Sequence, residues 1–282
     1  MPSLKDIKRR IKSVKNTKQI TKAMKMVSAA KLKRAQDEIT AARPYASSIA
    51  ALTLSLASTA SANSHPLLNS TAETGKVTAV LLTSDRGLCG SFNAVILRTA
   101  ERFLRERDES DTNLYLLGRR GVEYFKRRSI NTLQSRPLGS KRPQYADAIK
   151  IAGDVMELFL KGEAKEVYLI YTEFKSALTQ HPVAQRILPI STPAAEGETQ
   201  EAQEKYVIEP IFEPSKKELL SSLLPRYVEI QVFRAMLESA ASEHGARMTA
   251  MDSASKNATQ MISSLTLKYN RLRQASITRE LM

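Results

Sequence analysis

Residues 230–276 read IQVFRAMLESAASEHGARMTAMDSASKNATQMISSLTLKYNRLRQAS, and their periodicity decides the fold. Alternating steps of four and three from Ile230 land on Arg234, Leu237, Ala241, His244, Met248, Met251, Ser255, Ala258, Ile262, Leu265, Tyr269, Leu272 and Ser276. Most of these are apolar or small. A repeat near 3.5 residues sustained this long, with one interior glycine (Gly245) and no proline after Pro225, marks a coiled-coil seam instead of an ordinary globular helix. Extended over 213–282, the helix would be roughly 95 to 100 Å long at about 1.5 Å per residue. A compact domain of this chain has no room for it, so an elongated appendage is expected.

The other end of the chain, residues 1–58, predicts a second long helix. Ser3 can cap it with Asp6 three residues on. The four-three rhythm recurs through Ile7, Ile11, Val14, Lys18, Thr21, Lys25, Ser28, Leu32, Ala35, Ile39, Ala42, Ala46, Ile49, Thr53 and Leu56. Its middle turns polar while the apolar residues slide to Ile20, Ala23, Met24, Val27 and Ala30, so the seam is expected to shift around the helix or to meet its partner differently. Pro44 is expected to kink the helix or break it near Arg43. Between Lys5 and Arg34, twelve lysines and arginines face a single early acid, Asp6. Like charges at i,i+4 repel, so this surplus reads either as a partner surface or as a solvated basic flank.

Between the helices the texture changes. Residues 59–75 are rich in Ser, Ala, Thr and Asn and read as a linker. Residues 76–212 alternate strand-like and helix-like stretches: a strand at 77–83, a helix at 93–106, a strand over NLYLLG ending at Gly118, and a helix at 122–128. A short strand at 130–133, a helix at 145–160, the strand EVYLIYTEF and a strand at 184–190 follow. That alternation predicts an α/β domain with a mostly parallel, Rossmann-like sheet. Residues 192–205 read as an acidic loop, and 206–212 as an edge strand weakened by Pro210 and Pro214. The fold class is therefore α/β, with a central domain flanked by two long helices.

Composition narrows the function. With 42% hydrophobic and 26% charged residues the chain belongs with folded proteins. Its longest greasy region, 49–57, is interrupted by Thr and Ser, well short of the roughly 18 to 20 apolar residues of a membrane span. The start, MPSLKDIKRRIK, lacks the apolar core of a secretory signal, so the chain is expected to stay where it is made. One cysteine, Cys89, excludes an intrachain disulfide. A net charge of +14 implies acidic partners: nucleic acid, anionic lipid or acidic protein surfaces.

No catalytic constellation emerges. The turn SDRGLCGSFN joins a strand to a helix and could hold a phosphate on backbone N–H groups, but Gly87 and Gly90 make neither a dinucleotide fingerprint nor a P-loop. A tight structural connection is the plainer reading. Cys89 has no ordered His or acid beside it in sequence, and reads as a small buried thiol. His65, His181 and His244 lack metal-ligand spacing. The basic helix lacks interleaved aromatics and any nucleic-acid motif, which argues against a nucleic-acid partner.

Four stretches, IKRRIKSVKNTKQITKAMKMVSAAKLKRAQ (7–36), LTSDRGLCGSFN (82–93), ARMTAMDSAS (246–255) and YNRLRQASITRE (269–280), resemble the gamma subunit of F-type ATP synthases. The resemblance covers both ends, the central turn and the order of elements between them. It implies that the terminal helices pair antiparallel as a bent shaft within a hexamer of three alpha and three beta subunits. The α/β domain then forms a foot against the epsilon subunit and the membrane c-ring. Proton or sodium flow turns ring and shaft, one shaft per complex, and the beta sites change nucleotide affinity in turn. Such a subunit is not itself an enzyme and carries no cofactor or metal; it lies peripherally on the cytoplasmic face of a bacterial plasma membrane. By match to the family's motifs, Lys22, Met24 and Lys25 are expected to face the acidic lever loop of beta. Arg247, Arg273, Gln274 and Thr278 are expected at beta catch loops or the bearing. The resemblance also implies about ten further helical residues past ITRE, which this sequence lacks. The cysteine-bearing insertion of chloroplast relatives is absent too, which favours a bacterial type.

Overall fold

The computed structural model describes residues 3–59, 65–69, 75–107, 111–128, 130–138, 142–177, 179–190 and 215–281. The chain opens with α1 (Leu4–Thr59), and a short 3-10 turn (Pro66–Leu68) leads to β1 (Lys76–Leu82) and α2 (Phe92–Arg107). Then come β2 (Thr112–Leu117), α3 (Arg119–Phe125), β3 (Thr132–Arg136), α4 (Tyr145–Leu160), β4 (Ala164–Phe174), β5 (Gln180–Leu188) and finally α5 (Lys216–Leu281). The acidic loop and the edge strand expected over 192–212 lie outside the described residues.

The five strands lie in the order β3-β2-β1-β4-β5, parallel except for β5, which runs antiparallel to β4. Alternate side chains divide the core between the two faces of the sheet. Val77, Ala79, Leu81, Leu114, Leu116 and Ile170 meet α2 and α3. Val80, Leu82, Tyr115, Leu117, Val167 and Leu169 meet α4 and the base of α5. Covered on both faces, the central strands are continuous apolar runs, as a parallel sheet requires. The expected linker is partly docked: Leu67 is buried in the second core, and its carbonyl accepts from the Ile190 N–H at 3.0 Å.

α1 and α5 pair antiparallel. Leu32, Ala35 and Ile39 pack on Leu237 and Ala241, and further along Lys25 reaches Asp252. At about 1.5 Å per residue, α1 is about 84 Å long and α5 about 100 Å. Ser3 and Asp6 form the expected cap: the Asp6 N–H donates to Ser3 Oγ, and Ser3 N–H and Oγ donate back to the carboxylate.

Two points of α1 are decided by the structure. Of the kink or break expected at Pro44, the break does not occur: the helix continues to Thr59. Pro44 is exposed, so water can serve the carbonyl its missing N–H leaves free. Nor does the seam slide. Lys18, Thr21, Lys25 and Ser28 stay turned toward α5, with Thr21 and Ser28 buried, while Ile20 and Val27 point away at 60% and 56% exposure. Small side chains line both helices in this region, Thr21 and Ser28 on α1 and Ser255 and Ala258 on α5.

Candidate functional site

The chemistry-bearing turn between β1 and α2 is consumed by the scaffold. Thr83 Oγ1 donates to the Leu117 carbonyl at 3.0 Å and accepts from the Gly121 N–H at 2.9 Å. Asp85 accepts from the backbone N–H groups of Arg119 and Leu138, tying the start of α3 and the end of β3 to the turn. Ser84 and Asn93 bond each other, and Cys89 is buried against Phe92 and Ala246. Leu88, 63% exposed, faces outward in a left-handed backbone conformation with φ of 66°.

A doubly wound sheet takes nucleotides at the carboxyl ends of the strands where the order reverses, here between β1 and β4. That crevice is filled by α5. Ser242 Oγ donates to the Thr172 carbonyl at 3.2 Å, Thr249 Oγ1 to the Ala177 carbonyl at 3.3 Å, and Arg247 Nη2 to the Gly87 carbonyl at 3.3 Å. Gly245 permits this approach, since a Cβ there would lie 3.1 Å from the Ala177 Cα. The nucleotide-like sheet thus grips a helix. Among the described residues no group of three or more His, Cys, Asp or Glu side chains could hold a metal.

Arg247 sits in this junction, its side chain only 11% exposed. Its guanidinium also bonds Glu243 at 2.7 Å and lies 3.4 Å from His244 Nδ1. Burial raises the Glu243 carboxyl pKa, against the opposing pull of Arg247. Burial, then the Arg247 and Lys31 charges, push His244 down to about 4, so the imidazole is neutral at neutral pH.

The remaining expected contact residues lie on the rod. Lys22 is exposed; Met24 and Lys25 are half-buried, Lys25 bonding Asp252 at 2.5 Å. Bonds from Lys25 and Lys256 hold the Asp252 carboxyl below its ordinary value. Arg273, Gln274 and Thr278 are all exposed near the far end of α5, where Thr278 Oγ1 donates back to the Gln274 carbonyl. The structure therefore separates these residues into three places: the flank of α1, the foot junction and the tip.

Sequence reasoning passed over a feature of α1. At about 100° per residue, Lys8, Lys15, Lys22, Met26 and Lys33 fall within about 40° of one another, and all are exposed. Ile20, Ala23, Val27 and Ala30 occupy a separate exposed flank. Over residues 15–33 α1 is thus basic on one flank and apolar on another. Nearer its start and just beyond this stretch, the exposed Lys5, Arg9, Lys12 and Arg34 fall in the same sector as Ile20 and Val27. The signal was present in the apolar residues lying off the four-three track. Of the twelve early cations, only Arg9 and Lys25 enter an ion pair among the described residues.

A family model described as ATP synthase matches residues 3–282. The ATP synthase gamma chain of Geotalea daltonii is 50% identical, covering 100% of this chain and 96% of the relative. That of Geobacter metallireducens is 52% identical over the same shares.

The chain belongs to the ATP synthase gamma-chain family.

Among solved structures, a chain in the central stalk and c-ring of Tetrahymena thermophila mitochondrial ATP synthase is similar with a TM-score of 0.63 at 28% identity, covering 84% of this chain and 99% of that one. A gamma chain is one subunit of the synthase, and both bacterial relatives carry that name. As a member of this family, the chain pairs a long two-helix rod with an α/β foot. No described helix is long and apolar enough to cross a membrane.

Proposed function

We propose that this chain is the central rotor shaft of an ATP synthase, coupling rotation of a membrane c-ring, driven by ion flow, to ATP synthesis or hydrolysis in surrounding catalytic subunits. The observation that carries this reading is a locally lopsided rod: a two-helix shaft gripped by a folded foot, whose first helix over residues 15–33 is basic on one flank and apolar on another. A rod with uniform sides would offer the same contacts at every angle and could bias nothing. A lopsided one presents lysines to one of three equivalent neighbours and Ile20 and Val27 to another. Each neighbour then binds its nucleotide with an affinity that depends on shaft angle, which is what coupling requires thermodynamically.

In this proposal one copy sits among three alpha and three beta subunits, with the foot against epsilon and the c-ring. The chain is a non-catalytic subunit, peripheral to the cytoplasmic face of a bacterial plasma membrane. Lys22 and Met24 meet acidic and apolar parts of beta; Arg273, Gln274 and Thr278 meet the bearing at the tip. Lys25 and Arg247 take a double part, since each also holds this chain together. The test is Lys22→Glu in the assembled, membrane-bound enzyme. Lys22 is exposed and does not take part in the seam, so the fold survives while ATP-driven ion pumping falls several-fold relative to hydrolysis. Pumping that keeps pace with hydrolysis in this variant would overturn the assignment.

A further inference from the structure

Where the rod leaves the foot, α1, α4 and α5 do not close on one another. They leave a partly open cleft of about 260 Å³. Its α1 wall includes two small side chains one turn apart, Ala42 and Ala46; Tyr145 of α4 and Ile230, Phe233 and Leu237 of α5 supply the other walls. Packing ordinarily fills such a space, but here the walls are held in place. The Tyr145 hydroxyl donates to Glu229 at 2.7 Å, and its ring meets Phe233 edge to face with centroids 5.5 Å apart. The cleft is therefore preformed, which spares an occupant the cost of ordering it.

Among the described residues, the charged side chains lining the cleft are Arg43, Arg234 and Glu238. Two of them are spent on each other, since Arg234 Nε donates to Glu238 Oε1 at 2.8 Å. Arg43 is different: it is exposed and enters no hydrogen bond or ion pair among the described residues. An apolar, preformed space thus carries one unspent guanidinium. We propose that the cleft binds a small amphipathic monoanion, an aromatic body bearing one carboxylate, with the ring against Tyr145 and Phe233 and the carboxylate on Arg43.

Charge and shape select this class. The planar guanidinium matches a carboxylate through paired N–H donors. A phosphate monoester would bring a second negative charge that no further free cation meets, and an ammonium group would meet Arg43. The Tyr145 and Phe233 rings suit an aromatic body, and the volume suits one ring with a short tail, being below the usual range of drug-sized pockets. Because the walls come from α1, α4 and α5, an occupant touches rod and foot together and favours their docked state. The inference rests on this chain's own geometry and does not depend on the rotor reading.

The test uses the full chain and three probes of matched shape: 4-propylbenzoate, 4-propylbenzyl alcohol and protonated 4-propylbenzylamine, titrated by calorimetry and by ligand-observed NMR at low salt. The benzoate is expected to bind at least about threefold more tightly than the alcohol, the scale of a partly exposed ion pair, with the amine weakest. Added salt should narrow that gap. Arg43→Gln, at an exposed position without partners, is expected to keep the fold and to bring the benzoate down to the affinity of the alcohol, whose own binding stays unchanged. Ala46→Phe, which fills the cleft from α1, is expected to abolish binding of all three while the circular dichroism stays unchanged. If Ala46→Phe fails to fold, the Arg43→Gln comparison decides alone. Equal affinity for benzoate and alcohol, tighter binding of the amine, or no benzoate binding up to its solubility each overturns the proposal. So does a benzoate preference that persists in Arg43→Gln, or binding that survives in folded Ala46→Phe.

Discussion

The lower and upper halves of α5 share one helix and one rhythm, yet they are held in different ways. From Leu220 to Met251 the helix is enclosed by the sheet, α4 and α1, and most of its circumference is buried. From Asp252 to Thr278 Ala258 alone is fully buried, and the half-exposed Ser255, Ile262, Leu265, Tyr269, Leu272 and Ser276 form a single stripe against α1. The lower half therefore resembles the core of a globular domain and the upper half a thin coiled coil. Stability of the first comes from packing within this chain; the second has apolar area left over for others. A rotor needs this division, since a foot must resist torque while a tip must turn among neighbours without adhering to one.

The largest effect that can break this comparison is a matched pair of truncations. Leu224→Ala, at a fully buried position, is expected to cost about 3 kcal/mol of the foot's stability. Leu265→Ala, on the half-exposed stripe, should cost less than about 1 kcal/mol. Urea melts of both variants, followed by circular dichroism, check the contrast. Equal losses would mean that the rod folds as one unit with the foot.

Next comes the junction between the halves. Arg247→Ala leaves the Glu243 carboxylate buried and unpaired and removes the bond to Gly87, an expected loss of about 2 to 3 kcal/mol. Hydrogen exchange should show protection falling first around residues 84–93 and 242–250. If instead only the tip loosens, the grip lies elsewhere.

The third test is acid. His244 has its pKa depressed from 6.5 to about 4, so the unfolded chain binds a proton over a range where the folded one does not. Its contribution is present above pH 6.5 and is lost as the pH falls toward 4. Glu243, with a raised pKa, has the opposite sign: its ionisation weighs against the fold as pH rises through its folded value. Thermal midpoints measured from pH 7 to 4.5 should decline, and His244→Asn should flatten the decline. A profile unchanged by this substitution would place the acid sensitivity elsewhere.

The smallest effect belongs to the upper seam. Asp252 has a lowered pKa, so its pairing with Lys25 holds above ordinary carboxylate values and fades as pH falls through its folded value. Because the pair is partly exposed, Asp252→Asn should lower the midpoint at pH 7 by no more than about a degree, with the difference vanishing once acid protonates the carboxylate. A larger drop would show that this ion pair sets the helix register.

Much of this was legible in the residues. The positions that the four-three rhythm marks from Leu237 to Ser276 are all buried or half-buried, because side-chain direction in a helix depends only on residue number. The strands of the sheet were readable from their apolar runs for a similar reason. The short elements were placed less well: the helix expected at 122–128 runs over Arg119–Phe125, and the strand expected at 130–133 over Thr132–Arg136. Both take their start from partners distant in sequence, Asp85 at the head of α3 and β2 alongside β3.

The candidate site was legible in part. Arg273, Gln274 and Thr278 follow the helix outward to exposed positions, as their spacing off the seam requires. The guanidinium of Arg247 is spent inside the chain: its bond to Glu243 follows i,i+4 spacing, but its bond to Gly87, far away in sequence, is announced by no local pattern. The apolar flank of α1 was read as a seam that shifts or meets its partner differently, and the shift does not occur. Hydrophobicity alone favoured Ile20 and Val27 as the inward residues over Lys18 and Thr21.

By itself, then, the sequence determined two long helices, an alternating α/β centre, a strong positive charge and a helical phase for each residue, since all of these follow from local geometry and composition. Only the tertiary structure decided which phase faces inward. α1 is already docked at Leu32, Ala35 and Ile39, and an antiparallel partner in fixed register leaves the polar track no other direction. The same constraint seats α5 in the sheet's nucleotide crevice and turns Ile20 and Val27 to the outside.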